Sequence, residues 1–347
     1  MKSFSTLSNC NAAGIVDGFF DAFQEHVSIR RDGDICFLPL RYGLATLTAT
    51  GDRIEFSAEA DDDIRLSYVK MAVAEHLAAH PLTSTEKIEW TGALDAAPPF
   101  FQTIEVVSSR MVTPHMKRIT FRSDSFGSYA AGGIHVRLIF PPTGRQPVWP
   151  SLGADGRIQW PSGADALAAR VYTIRSIDLE ANEIEIDFVL HDHMDGVVAP
   201  GADFGASAVP GQVVGIFAPG GDEIPKAPSL LLFADETGLP AMARILEEQP
   251  ATSRVLAFAE VDSPHDHYDF PSAPNIELTY LYRHGRKPGT VGLLPEAMRQ
   301  LTTPCQVSTY LWAGCAFDDY MEIRRVARKD WQLARENHSV VAYWRNQ

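Results

Sequence analysis

A change of period about two-thirds of the way along the chain constrains its fold more than any other feature. Between residues 101 and 217, short runs of alternating apolar and polar residues (104–107, 117–121, 134–140, 183–190 and 213–217) are separated by Gly- and Pro-bearing turns. That pattern predicts an antiparallel barrel. Beyond Pro225-Lys226-Ala227-Pro228 the strands become continuously apolar, at 229–234 and 255–259, with further strands at 276–280 and 309–312. Helical periodicity intervenes at 239–248 and 318–335. Strands apolar on both faces and alternating with helices predict a doubly wound parallel sheet.

Ahead of both lies an acidic first part. Residues 44–50 and 53–56 flank a Gly51-Asp52 turn and read as a hairpin. Asp61-Asp62-Asp63 then precedes Ile64, Leu66, Val69, Ala72, Val73 and Leu77 at helical spacing, where an N-cap and the helix dipole favour negative charge. Three adjacent carboxylates lack the alternating ligand spacing of a calcium loop. Ala96-Ala97-Pro98-Pro99 is a linker by composition. The expectation is a multidomain chain: a small α+β domain over 1–97, an antiparallel β-barrel over 98–224 and an α/β doubly wound domain over 225–347, with 141–169 a surface excursion.

Composition excludes several classes. A formal net charge of −14 opposes nucleic-acid binding, which needs a basic surface, and favours a monomeric habit. The four cysteines, Cys10, Cys36, Cys305 and Cys315, show no metal or cluster spacing, so no metal site is expected and a reducing, cytoplasmic setting is. No apolar run is long enough to span a bilayer, and the Leu7-Ser8-Asn9-Cys10 box lacks a preceding apolar region.

The densest chemistry is Arg170-Val171-Tyr172-Thr173-Ile174-Arg175. On a strand, Arg170, Tyr172 and Ile174 share one face and Val171, Thr173 and Arg175 the other. Guanidiniums clamp phosphates bidentately, a phenol lies flat on a heterocycle, and a hydroxyl bonds a ring nitrogen. Those are the parts that hold a flavin dinucleotide. The plain alternative is an exposed strand whose arginines pair with acids such as Asp178 and Glu180. Two His-Asp-His triplets, His191-Asp192-His193 and His265-Asp266-His267, invite a metal reading, but neither has an evident third or fourth ligand.

The Arg-x-Tyr-Thr-x-Arg motif resembles the FAD-binding signature of the siderophore-interacting flavoproteins, a branch of the ferredoxin-NADP reductase superfamily. Thr113-Pro114-His115-Met116-Lys117-Arg118, His135-Val136-Arg137-Leu138, Trp160-Pro161, Pro219-Gly220-Gly221, Asp235-Glu236-Thr237-Gly238 and Tyr343-Trp344-Arg345 fall in the family's order, so the resemblance runs over 100–347. The first part resembles a small α+β domain of unknown function sometimes fused to this family.

The resemblance implies that Tyr172 stacks on the isoalloxazine, Thr173 bonds near its N5 and O4 edge, and Arg170 meets the pyrophosphate. Arg175 and His191 belong to the same site, His191 having a backbone-bonded loop histidine as its alternative. Pro200, Gly201 and Ala202 form the phosphate loop, with Ala202 where relatives carry serine. Thr237 is the residue of its motif most able to touch a ligand, while Asp235 and Glu236 cap the next helix and repel pyrophosphate. Cys315 stands where a glutamate is usual. The implied activity is FAD-dependent reduction of ferric siderophores, with electrons from NAD(P)H or ferredoxin and no side-chain catalytic residue. Lys117, Arg137, Arg244, Arg286 and Lys287, with Arg110 and Arg283, are the candidates to gather an anionic chelate; a solvated basic scatter is the alternative. A general flavin-dependent electron-transfer reductase and a non-catalytic siderophore-binding module are the rival functions.

Overall fold

The computed structural model describes residues 1–23, 28–79, 88–92, 97–98, 100–130, 133–190, 199–220, 223–301 and 308–346, with the side chains of 218–220 excepted. By internal contacts it forms two compact units, one of residues 1–102 with 141–167, the other of 103–140 with 168–347.

The first unit opens with β1 (Lys2–Ser8) and α1 (Ala12–Phe23), then β2 (Arg30–Asp32), β3 (Ile35–Leu40), β4 (Gly43–Thr50), β5 (Arg53–Glu59) and α2 (Asp63–Ala79). Its strands form one sheet ordered β1-β5-β4-β3-β2. The Gly51-Asp52 hairpin is as expected: Thr50 pairs with Arg53, and Gly51 turns at φ +62°, a conformation open to glycine. Asp62 starts α2 by accepting the Arg65 amide at 2.8 Å. Both helices bury an apolar stripe, Ile15, Val16 and Phe19 from α1 and Leu66, Val69 and Val73 from α2, against Leu47, Ile54 and Phe56 of the sheet.

The second unit begins with β6 (Phe101–Thr113), β7 (Met116–Arg122) and β8 (His135–Phe140). The chain then returns to the first unit, where 141–167 carries the short pair β9 (Ser151–Leu152) and β10 (Ile158–Gln159). It is anchored there by Trp90, whose Nε1 donates to the Asp155 carbonyl at 2.9 Å, so this stretch is more than a free excursion. Back in the second unit, β11 (Ala168–Asp178), β12 (Glu183–Val189), α3 (Pro200–Ser207) and β13 (Val213–Gly220) complete a closed barrel ordered β11-β12-β7-β6-β13-β8. Alternation supplies its core: Ile104, Ile119, Phe121, Val136, Leu138, Ile174, Ile184, Ile186, Phe188 and Ile216 are buried inside.

The remainder is β14 (Ser229–Ala234), α4 (Leu239–Glu247), β15 (Arg254–Val261), β16 (Ile276–Tyr282), α5 (Leu293–Gln300), β17 (Thr309–Ala316), α6 (Phe317–Arg325) and β18 (His338–Trp344). All five strands are parallel and ordered β16-β15-β14-β17-β18. The order reverses between β14 and β17, the topological switch point of a doubly wound sheet. The helix expected over 318–335 stops at Arg325 and widens into a π turn over Val326–Asp330. Trp331 and Leu333 pack on the core and bond back to Val326 and Ala327, drawing the chain off the helical path, and Gln332 takes φ +51°. No described helix is long and apolar enough to cross a membrane.

Candidate functional site

Strand β11 pairs with β8 so that Arg170 opposes Leu138, Val171 opposes Arg137, Tyr172 opposes Val136 and Thr173 opposes His135. Its two faces separate as the alternation requires. Tyr172 turns its ring toward the barrel interior, 4.5 Å from Phe188 between centroids and edge-on to Phe140 at 6.3 Å. Its phenol lies so close to Gly201 that a Cβ there would sit 2.0 Å from the oxygen, so the first turn of α3 approaches this strand only because position 201 is glycine. Burial pushes the Tyr172 pKa up, keeping the phenol neutral. Thr173 is buried on the other face, while Val171 is 62% exposed.

The arginines differ. Arg170 is exposed and donates only to the neighbouring Ala169 carbonyl, at 2.8 Å, and Arg137 is exposed across the ladder from Val171. Neither is ion-paired among the described residues. The α3 N-terminus adds backbone donors: Ala199 offers no side-chain cap, and Pro200 occupies the first turn. Ala202 lies in that turn. Arg175, by contrast, is held by Glu247 of α4 through two bonds of 2.6 and 3.1 Å and by the Tyr268 hydroxyl at 3.1 Å. Tyr268 donates to Asp187 at 2.5 Å, and Arg118 grips Asp187 bidentately at 2.6 and 2.7 Å. Arg244 donates to the Ile174 carbonyl at 3.2 Å. These groups tie β7, β11 and β12 to α4 and to the chain after β15.

In the barrel Thr173 opposes His135, whose Nε2 is 2.7 Å from the Tyr343 hydroxyl of β18, the edge strand of the parallel sheet. Trp344 donates to Asp235 Oδ2 at 2.8 Å, while Asp235 Oδ1 accepts from the Thr237 amide at 2.9 Å and the Thr237 hydroxyl at 2.5 Å. Helix α4 begins after Gly238, where a Cβ would lie 2.3 Å from the Gly314 carbonyl. The expected capping by Asp235 and Glu236 is replaced by other bonds. No side chain caps α4, and Glu236 instead forms a buried bidentate pair with Arg283 at 2.5 and 2.8 Å. Arg283 is 3% exposed, so burial withdraws it from the basic residues available to a ligand.

Glu260 at the end of β15, 3.6 Å from Arg283, and Asp319 in α6 join Asp235 and Glu236 in a buried group of four carboxylates, of which Glu236 and Glu260 face that arginine. Burial, then the proximity of Asp319 and Asp235, pushes Glu260 up to about 8; burial, then Asp235 and Asp318, pushes Asp319 up to about 6. Glu260 Oε2, Asp319 Oδ2 and Arg283 Nε have no hydrogen-bond partner. Cys315, also buried, has its thiol pKa raised by the same burial and charges. An additional phosphate here would meet like charge.

Of the remaining candidates, Lys117 donates to the Ala206 carbonyl at 3.2 Å, and Arg286 and Lys287 are exposed on the turn after β16. Arg110 reaches Glu185 at 3.6 Å. His191 and its triplet lie outside the described residues, as does Cys305; Cys36 and Cys315 are free thiols. In the other triplet Asp266 bonds His115 at 2.6 Å and His267 bonds the Tyr282 hydroxyl at 2.6 Å. Among the described residues there is no cluster able to hold a metal. The structure thus brings Tyr172 against Gly201, keeps Arg170 on the Tyr172 face of β11 and Thr173 on the opposite face, and sends Arg175 and Arg244 elsewhere. Sequence reasoning did not single out His135, Glu260 or Asp319; partners for them come only from distant segments.

A dinucleotide's phosphates need donors not already paired; Arg170 and the backbone amides of the α3 N-terminus, whose first turn also holds Asp203, are the donors present. A flavin ring needs a flat apolar neighbour and a polar edge, which Tyr172 and the Thr173–His135–Tyr343 group offer. The residues present fit FAD. A barrel with this donor set, joined to a parallel sheet at its switch point, defines a flavin oxidoreductase of two lobes. Residues 105–223 match the model of the siderophore-interacting FAD-binding domain and 227–347 that of the siderophore-interacting protein, while 5–91 match an uncharacterized protein conserved in bacteria. A siderophore utilization protein from T. fusca is 33% identical, covers 73% of this chain and 96% of its own, and superposes with a TM-score of 0.64. The siderophore-interacting protein SipS from Aeromonas hydrophila is 26% identical over 71% of this chain and 92% of its own, with a TM-score of 0.60. The ferric vibriobactin reductase ViuB of Vibrio cholerae is 26% identical over 248 residues, 70% of this chain and 88% of the relative. The chain belongs to the siderophore-interacting protein family.

Proposed function

We propose that this protein reduces ferric siderophores in the cytoplasm, as a monomer, using bound FAD and electrons from NAD(P)H or ferredoxin, and so releases ferrous iron. The observation that carries the reading is that Arg170 and Arg137, neither ion-paired among the described residues, stand on the paired strands β11 and β8 that also bring Thr173 opposite His135 and its Tyr343 contact. Bound flavin supplies the conversion between two-electron and one-electron transfer. The chain's own work is positional: Arg170 and the α3 N-terminus neutralise phosphate, Tyr172 backs the ring, and Thr173 and His135 fix its polar edge. Arg137, Arg286 and Lys287, with Lys117, draw an anionic chelate toward that edge against the overall negative charge. Residues 98–224 and 225–347 serve as the flavin and electron-donor parts, and 1–97 as an appended domain.

The test is anaerobic. FAD-loaded protein is mixed with NADH, NADPH or reduced ferredoxin, then with a panel of ferric siderophores and a ferrous-specific dye. Ferrous iron should appear with at least one donor and one siderophore. Reduction confined to quinones and dyes would identify a general reductase instead, and failure to retain FAD would identify a binding module.

A further inference from the structure

Two motifs far apart in the chain, Thr113-Pro114-His115-Met116 and His265-Asp266-His267, meet in the fold. His115, in the β6–β7 turn, places Nδ1 2.6 Å from Asp266 Oδ1. Asp266 has a side chain 2% exposed, whereas the His115 ring is 52% exposed. The carboxylate is fixed by Ser263, whose amide and hydroxyl donate to Oδ2 at 3.1 and 2.8 Å. Burial alone would raise the Asp266 pKa, but the bonds from Ser263 and His115 and the attraction of His115 outweigh it, and it is held below its ordinary value. An ionised Asp266 keeps a proton on Nδ1 and leaves Nε2, which has no bonded partner among the described residues, to exchange protons.

The position matters as much as the pair. Met116 pairs with Val189 of β12, and the Leu190 amide donates to the His115 carbonyl at 2.8 Å. Strand β12 in turn pairs with β11 through Ile174 and Ile186. Continued beyond its last pair, that register would bring Val189 level with Val171, so His115 belongs to the end of the barrel at which β11 begins. The other ionisable groups around it are engaged or turned elsewhere. Lys117 bonds the Ala206 carbonyl, Arg118 and Tyr268 are closed on Asp187, His267 is bonded to Tyr282 and stacked 3.9 Å from Tyr280, and His265 is exposed on the Asp266 loop.

We propose that His115, oriented by Asp266, donates protons to the chelator oxygens as iron leaves. This rests on the siderophore reading above. Iron(III) takes one electron from the reduced bound flavin and becomes iron(II). The weakened iron–oxygen bond then breaks with its electron pair on oxygen, and that oxygen takes the proton from His115 Nε2. Water returns a proton to the imidazole. A phenolate-type oxygen, with an unperturbed pKa of about 10, strongly demands that proton at neutral pH.

The test uses His115→Gln, since a glutamine amide can still donate to Asp266 and keep the tie, with Asp266→Asn as the second variant. The first readout needs no turnover. Nitrogen-15 imidazole signals of His115 are followed while the gallium(III) complex of a tris-catecholate chelator, which cannot be reduced, is added to FAD-loaded wild-type protein; the Nε2 signal should move. The second is ferrous release from the iron(III) complex across pH. Wild-type rates should fall as pH rises, because the step consumes a proton. His115→Gln should be about 100-fold slower with that pH dependence gone, and Asp266→Asn should alter the profile in the same sense. Ferricyanide reduction, which requires no proton at the acceptor, should persist in both. A motionless Nε2 signal, or a His115→Gln variant with wild-type rate and profile, overturns the proposal. Wild-type protein that reduces ferricyanide but no ferric siderophore overturns the functional reading on which it stands.

Discussion

The open end of the barrel and the switch-point end of the parallel sheet are built on opposite electrostatic plans. At the barrel, Arg170 and Arg137 face solvent with no carboxylate partner among the described residues, next to a helix start that no side chain caps. At the sheet, Asp235, Glu236, Glu260 and Asp319 are buried, and Arg283 pairs with Glu236 and Glu260. An anion receptor must leave its cations unpaired until the ligand arrives, whereas a buried group with excess carboxylate holds protons or repels anions. On the proposed reading, phosphate is bound at the barrel. The sheet end, where doubly wound folds commonly receive a nucleotide, is instead occupied by its own charges.

The strongest way to break that contrast is Arg283→Met. It leaves Glu236 and Glu260 without their counter-charge, and breaking a buried pair costs about 3–5 kcal/mol. Chemical denaturation should show that loss; a variant as stable as the parent would mean that the carboxylates are already neutral. Arg170→Ala attacks the other side. It removes charge-assisted bonds of about 1.5–3 kcal/mol each, so flavin affinity should fall by roughly ten- to a hundredfold in a fluorescence titration. Adding Tyr172→Ala should abolish retention of the cofactor altogether. Unchanged cofactor content in the double variant would move the flavin elsewhere.

Acid–base behaviour sharpens the contrast. Because the folded-state pKa of Glu260 is raised to about 8, the unfolded chain gives up this proton first. Stability should therefore decline from about pH 4.5 upward, by as much as about 1.4 kcal/mol per pH unit, and level off above pH 8. Asp319 adds a similar decline that ends near pH 6. Glu260→Gln should flatten the upper part of the curve and raise the melting temperature at pH 8 while changing little at pH 4. The smallest effect is expected at the tie between the lobes. Tyr268→Phe removes one donor to Asp187, which still has Arg118, and should cost about 1 kcal/mol in the same denaturation experiment.

Much of this architecture can be read before any coordinates. The Gly51-Asp52 hairpin, the Asp62-capped helix and the β14 strand fall where local pattern puts them, because a turn, a cap and a doubly buried strand are each decided within a few residues. Strand β18 and helix α5 escape such reading. His338–Trp344 has neither clean alternation nor a continuous apolar run, and it becomes a strand through pairing with β17. The overshoot beyond Arg325 has the same origin, since helical periodicity cannot register that Trp331 is drawn into the core.

For the site, residue order alone determines the chemistry available on β11 and which side chains share a face, since alternation is a property of the backbone. Tertiary structure decides the allegiance of each charge. Arg170 remains open while Arg175, five residues on, is taken by Glu247, and Arg283 is enclosed by acids from two other segments. His115 acquires its carboxylate from 151 residues away. The reason is physical: side-chain type and spacing are local quantities, but desolvation and pairing depend on which distant segments the fold brings within about 4 Å.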